Sequence, residues 1–491
     1  MLSEFSHLRI AIAWVTGLTV LRLLSSALTG LELHGDEAQY WSWAQTPDFG
    51  YFTKPPLIAW IIAATTAVCG DGEACVRASS PLLHAATAFA LYALGRTVAD
   101  SRVAMWSALL WISLPSIAFS SLIVSTDVSL LFCWAAAAAA YRRTLDSRSW
   151  LWAVVAGLAL GFGLLAKYAM AYALLGAALH VFLVPRDRWI LRDGRGLAIL
   201  AVALLVLSPN LLWNAANGFA TVAHLGDNAN MGADPSQKYR LSEALEFLGE
   251  QAGVFGPIPF AILAWRIVAW VRGRLSEAET FLLALALPPL AVITAQAFLS
   301  RANANWAATA YPTATVLVAI WLVTSAPRWL RYATFVPHLA ASLAFALIVA
   351  AWPAWRIPAT DRPLSRLAGW EEVADRLRGD VLSHPDLPVL MTGRLAMAST
   401  LYYLRDQLGP QGRAVYMWDW NRRPEHHYEL AVPFDPAVSD PALMITEWDN
   451  PGPILDHFEV AEQVRVITVT SFGRTRRLEV WRVAGFKGWD D

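Results

Sequence analysis

The chain has 491 residues, 56% hydrophobic and only 16% charged, far below the roughly one quarter charged residues of a soluble domain. A net charge of −1 argues against a nucleic-acid partner, and the 10 His and 3 Cys are too scattered for a zinc cluster. The 24 Trp belong to a residue type that favours membrane–water interfaces, so the composition describes a chain held in a bilayer.

The first apolar run covers 10–31. Ser25-Ser26-Ala27 offers small residues of the kind a signal peptidase cuts at, but the run is too long for a signal peptide and many others follow, so it is a membrane helix. Directly after it stands Leu33-His34-Gly35-Asp36-Glu37-Ala38-Gln39-Tyr40-Trp41, then Gly50-Tyr51-Phe52-Thr53-Lys54-Pro55-Pro56-Leu57. An acidic pair and one Lys therefore share a short loop at the membrane surface, where ionisable groups are costly and are functional candidates. The run at 57–69 is short and begins after two prolines, which predicts an interfacial or re-entrant segment. Cys69 and Cys75 flank Gly70-Asp71-Gly72-Glu73-Ala74, and an oxidising compartment would permit a disulfide there.

Further runs lie at 81–98, 103–123, 126–141, 150–166, 168–184, 196–213, 252–271, 279–298, 306–324 and 332–352. Each approaches the ~20 apolar residues needed to cross ~30 Å of hydrocarbon, giving about eleven crossings. Cys133, inside a span, reads as a small apolar residue. Asp127 follows Ser125-Thr126 and opens a span, so it is either a site residue or a helix cap. The stretch 214–250 carries Asn214, Asn217, Asn228, Asn230, Asp227 and Asp234 with Gly218, Gly226 and Gly232. A loop of that length is a lid, a binding loop or a mobile connector.

Basic residues set the orientation. One family of short loops carries Arg96, Arg102, Arg142, Arg143, Arg148, Arg186, Arg188, Arg192, Arg195, Arg272, Arg274, Arg328 and Arg331, and the other only Lys54, Arg77, Lys167, Lys238, Arg240 and Arg301. Positive loops stay cytoplasmic, which puts the N-terminus inside and the Asp36 loop, with the C-terminus, outside. The few outward cations, Lys54, Lys167, Lys238, Arg240 and Arg301, are anion-binding candidates. The plainer reading, strongest for Arg77, Lys238 and Arg240, is snorkelling to headgroups.

Beyond Trp352 the chain turns polar, dividing it into a membrane part at 1–355 and an extra-membrane part at 356–491. Helical spacing over 369–377 and 394–405 alternates with strand-like runs at 388–391, 414–417, 442–445, 464–469 and 478–483, predicting a small α/β domain. The string Tyr416-Met417-Trp418-Asp419-Trp420-Asn421-Arg422-Arg423 either packs on sugar rings or fills that domain's core.

Taken in order, Asp36-Glu37 after the first span, Gly50-Tyr51-Phe52-x-Lys54-Pro55-Pro56-Leu57 and Ser125-Thr126-Asp127 resemble the GT-C glycosyltransferases. More narrowly they are similar to family 39 and its bacterial relatives, the lipid A aminoarabinose and galacturonic acid transferases. Asn303-Ala304-Asn305-Trp306-Ala307-Ala308 is familiar from the same bacterial members. The resemblance implies a polyprenyl-phosphate sugar donor and transfer at the outer face of the inner membrane, usually with inversion, to lipid A, lipopolysaccharide or another envelope acceptor. It implies that Lys54 binds the donor phosphate and that Asp36 is the essential acid of the first loop; Arg301 is a weaker phosphate candidate, placed by its location alone. Asp36 then acts as general base on a hydroxyl. With a lipid A phosphate as acceptor, already ionised near neutral pH, it orients a substrate or a metal instead. Glu37 and Asp127 join it as catalytic candidates, and Tyr51, Asn303 and Asn305 as substrate-binding ones. Asp36 also reads as a helix N-cap. Where the aminoarabinose transferases place a metal-linked Glu before that Lys, this chain has Thr53, which leaves His224 beside Asp227 as the candidate ligand of a divalent metal. A protein O-mannosyltransferase would share the donor chemistry. A transporter or flippase would show internal repeats and mid-span charges, whereas here no repeat is visible and the charges lie mainly at span ends.

Overall fold

The structure is a computed structural model that describes residues 2–228, 239–352, 354, 364–409 and 412–489. Lys238, Asn230, Gly232, Asp234 and the 355/356 boundary lie outside the described residues. The chain forms two compact units, one of Met1–Ala27, Lys54–Ile58 and Arg77–Ala350, the other of Leu28–Thr53, Ala59–Val76 and Ala351–Asp491.

The first unit is helical. Among the described residues five helices are long and apolar enough to cross a membrane, Glu4–Leu28, Gly194–Ala216, Glu277–Leu299, Ala304–Thr324 and Arg328–Ala351. The bent pair Leu241–Phe255 and Pro257–Val271 makes a sixth if it counts as one span. Leu57–Cys69, Trp150–Ala166 and Tyr168–Leu183 are shorter apolar helices. Small residues bring neighbours together: a Cβ on Gly157 would lie 2.8 Å from the Ile199 carbonyl oxygen, and one on Gly161 2.7 Å from the Val206 Cβ. Without a hydrophobic force between helices in lipid, such close approach is what holds them.

Two expected spans are broken. The run 252–271 bends by 118° at Gly256, which sits at φ 88 with Pro257 opening the next helix. A side chain at Gly256 would strike the His338 ring, 2.4 Å away. The run 103–123 divides into Ser101–Ser113 and Pro115–Ser120, because Pro115 forces Leu114 out of helical backbone. The stretch 214–250 is not one long loop either: Ala220–Asn228 and the helix from Leu241 occupy much of it.

The second unit carries a five-stranded sheet in the order β2-β1-β3-β5-β4. The strands are β1 Val389–Met391, β2 Val415–Met417, β3 Ala442–Thr446, β4 Phe458–Ser471 and β5 Arg474–Phe486. β1 pairs in parallel with β2 and β3, and β5 is antiparallel to β3 and β4. β4 and β5 extend past the apolar runs read at 464–469 and 478–483 because they form a hairpin. Its two-residue turn, Phe472 and Gly473, has φ of 49 and 75, the double positive φ that matches strand twist. Trp418 fills the core with Phe434, Phe458 and Val483, while Trp420 is exposed.

The loop after the first span is woven into this unit. Gly30 N–H donates to the Trp352 carbonyl (3.0 Å) and Glu32 N–H to that of Leu367 (2.8 Å). The Glu32 carboxylate accepts from Gly369 N–H (2.7 Å) and from Trp370 N–H, capping the Trp370–Ser383 helix from far away in sequence. The Gly35–Ala44 helix lies on the Arg394–Tyr403 helix so closely that a Cβ on Gly35 would sit 2.8 Å from Leu395. Trp41 meets Tyr402 edge-on at 5.0 Å, and its indole N–H donates to Asp71 at 2.7 Å.

Candidate active site

In the first unit the site centres on Asp127. The Thr126–Ser147 helix starts after Ser125, which makes no side-chain capping bond. Asp127 lies in the first turn, where the helix dipole favours an anion. Its carboxylate is engaged elsewhere, accepting from Lys167 Nζ and from Asn305 Nδ2, each at 2.7 Å. Lys167 reaches it because the Trp150–Ala166 helix stops there, with Lys167 itself extended at φ −163 and ψ 135. Asn305 comes from the 3-10 turn Ala304–Ala310. Lys54 is close enough to act on Asp127 electrostatically. Lys167 in contact and Lys54 within electrostatic range thus place cationic side chains beside Asp127, a setting that suits a phosphate.

An apolar cavity of about 430 Å³ runs up to this cluster, lined by Phe119, Ile123, Leu131 and Val254 with Asp127 and Asn305. Tyr311 closes part of its wall, stacked on Phe255 at 4.5 Å, its hydroxyl donating to Gln251. An apolar slot with a charged end suits an amphiphile. Arg301 is exposed and makes no ion pair among the described residues. Asn303 is exposed too and starts the 3-10 turn, its carbonyl accepting from Trp306 N–H at 2.9 Å.

In the second unit the Asp36 loop has an organisation the sequence did not reveal. The N-cap of the Gly35–Ala44 helix is His34, not Asp36: His34 Nδ1 accepts from Asp36 N–H at 3.2 Å. Glu37, 1% exposed, completes a capping box by accepting from His34 N–H at 2.9 Å. The cap is thus made without the Asp36 carboxylate, which accepts from Arg394 Nη1 at 2.9 Å. The same nitrogen donates to Gln39 Oε1. Arg394 opens its helix right after β1. It was legible only as the first residue of a helix, since nothing local in sequence ties it to Asp36.

Other expected site residues have structural places. Tyr51 is 1% exposed, stacks on Trp43 at 4.4 Å and donates to the Trp43 carbonyl at 3.1 Å, so it shapes the loop. Arg77 is fully buried and does not snorkel. Arg240 pairs with Glu243 at 2.8 Å. Cys69 and Cys75 are joined in a disulfide. His224 lies in the Ala220–Asn228 helix, and the Asp227 side chain is outside the described residues. Among the described residues no three His, Cys, Asp or Glu side chains are grouped to hold a metal.

The family described as dolichyl-phosphate-mannose-protein mannosyltransferase matches residues 53–213. Over 436 residues, 88% of this chain and 90% of the relative, the chain is 34% identical to the lipid A galacturonosyltransferase RgtD of Rhizobium johnstonii. Among solved structures, ArnT from Cupriavidus metallidurans bound to undecaprenyl phosphate superposes with a TM-score of 0.67 at 16% identity, covering 98% of this chain and 99% of that one. The oligosaccharyltransferase AglB from Archaeoglobus fulgidus gives 0.54 at 13% identity, over 97% and 74%. The fold is shared with both.

Proposed function

The chain belongs to the GT-C glycosyltransferases, in the group of the bacterial lipid A aminoarabinose and galacturonic acid transferases, and on that premise we propose that it transfers galacturonic acid from a polyprenyl phosphate to lipid A or lipopolysaccharide. It is a polyprenyl-phosphate-sugar-dependent membrane glycosyltransferase. The observation that carries the reading is the near full-length identity to RgtD, named a lipid A galacturonosyltransferase. The Asp127 cluster at the end of an apolar cavity supports it.

The acceptor oxygen attacks the anomeric carbon as the bond from that carbon to the phosphate oxygen breaks. Negative charge grows on the departing polyprenyl phosphate, and fixed cations there lower the barrier. Lys54 and Lys167 supply that charge, and Asp127 with Asn305 holds Lys167 in place. The isoprenoid chain occupies the apolar cavity. Asp36, held by Arg394, takes the proton of a hydroxyl acceptor. A phosphate acceptor needs no base, and Asp36 then orients it. Arg301, Asn303 and Asn305 stand on the segment that meets Asp127 and complete the donor site. Metal dependence through His224 is read by chelation, which changes turnover only if a metal takes part.

The chain crosses the bacterial inner membrane about eleven times with its N-terminus cytoplasmic, and residues 356–491 stand in the periplasm. The test is mass spectrometry of lipid A and core from a deletion strain complemented with wild type or Asp36→Asn. A hexuronic acid mass lost on deletion and regained only with wild type is the expected result. Unchanged lipid in all three strains overturns the acceptor and directs attention to glycoproteins, the substrate of a protein mannosyltransferase.

A further inference from the structure

A second cavity in the first unit, about 520 Å³, has no part in that reaction. It is lined by Trp134, Ala138, Ala156, Leu160, Ala177 and Val181. Its wall includes Leu191 and Leu197, each 70% exposed. Such leucines on a membrane protein face lipid, so the cavity opens sideways into the bilayer.

The opening lies under a girdle of cations on aromatic rings. Arg143 sits over Trp152 at 4.4 Å, Arg148 over Trp189 at 4.7 Å and Arg195 over Trp150 at 5.0 Å. Trp at this density marks headgroup level. Asp193 lines the cavity but is neutralised by Arg195 at 2.9 Å. Arg192, one residue before it, is exposed and has no ion pair among the described residues. An apolar chamber with an exposed cation in sequence between two of its lining residues, Leu191 and Asp193, is complementary to an anionic lipid.

Position separates this cavity from the donor site. Asp127 and Tyr141 lie on one helix, fourteen residues apart, which at 1.5 Å per residue is about 21 Å. Tyr141 lines the cavity and Arg143 follows it into the girdle, so girdle and Asp127 sit at opposite ends of one helix and serve opposite leaflets. A polyprenyl phosphate whose phosphate is at Asp127 cannot present it to Arg192.

We propose that this cavity is a binding site for an anionic phospholipid of the leaflet opposite the active site, one acyl chain lying along Ala138, Ala156 and Ala177 and its phosphate meeting Arg192. The bound chain fills a space that the helices leave open and couples their packing to the charge of the surrounding membrane.

The full-length protein, delipidated in detergent, is titrated with phosphatidylglycerol and with phosphatidylcholine by native mass spectrometry. Wild type retains phosphatidylglycerol in preference. Arg192→Ala, a surface change, reduces that preference about fivefold, as expected for one cation beside an anionic lipid. Ala177→Phe fills the chamber and abolishes retention of both lipids, with sugar transfer confirming that the variant is folded. Equal retention of the two lipids by wild type overturns the proposal, as does an unchanged preference in Arg192→Ala. Displacement of phosphatidylglycerol by equimolar undecaprenyl phosphate assigns the cavity to the donor instead and also overturns it.

Discussion

Removing the charge of Lys167 separates a chemical role of the Asp127 cluster from a structural one. In Lys167→Met the Asp127 carboxylate loses a 2.7 Å partner but keeps the Asn305 amide. The Lys167 and Asp127 side chains are 24% and 17% exposed. The pair lies between a surface bridge, worth about 0–1 kcal/mol, and a fully buried one, whose rupture costs about 3–5 kcal/mol. A loss of about 1–3 kcal/mol in stability is therefore expected. Turnover responds on another scale, because a positioned charge at a developing anion contributes roughly 10²–10³ in rate. In the double variant Asp127→Asn with Lys167→Met the charge balance is restored, so most of the stability returns while transfer stays depressed. The assay is turnover with a polyprenyl-phosphate sugar in nanodiscs, with thermal melting on the same samples. Wild-type turnover in the double variant would refute the reasoning and leave the pair a structural bridge.

Arg394→Ala frees Asp36 and is expected to lower kcat by about tenfold or more, with Arg394→Lys recovering only part because a point charge replaces a fork; an unchanged kcat shows that the contact with Asp36 is incidental. Non-reducing peptide mapping should find Cys69 linked to Cys75, and replacing both by Ser should cost about 2 kcal/mol for so short a loop, whereas free thiols in fresh protein exclude the bond. His427 packs against the rings of Trp43 and Tyr51, and burial holds its pKa down from 6.5 to about 4, against the pull of Asp48. The unfolded chain takes up that proton as pH falls through 6.5 and the folded one only near 4. Stability is therefore full above the higher value and is lost toward the lower one, by up to about 3 kcal/mol. Melting curves across this range should show a shallower slope in His427→Phe than in wild type, the remainder coming from His426, which burial also holds down to about 4; the same slope in both contradicts it.

The membrane class was legible from 56% hydrophobic residues, and most helices from runs of apolar side chains, because transfer into lipid depends on local composition summed over one segment. The strands of the second unit were legible for a similar reason, since alternation and β-branched residues act locally. The ordered loop motifs around Asp36, Lys54 and Asp127 pointed to the family. What only the tertiary structure decided is which groups meet. Arg394 reaches Asp36 across 358 positions and Asn305 reaches Asp127 across 178, and the energy of an ion pair depends on distance in space. No local pattern carries that distance. The same holds for the cap at His34, which relieved Asp36 of the role its position suggested, and for the break at Gly256, where the His338 ring on another helix leaves no room for a side chain. Hydropathy places a segment in the bilayer, but packing chooses which of its few polar groups face one another, and there the candidate site is made.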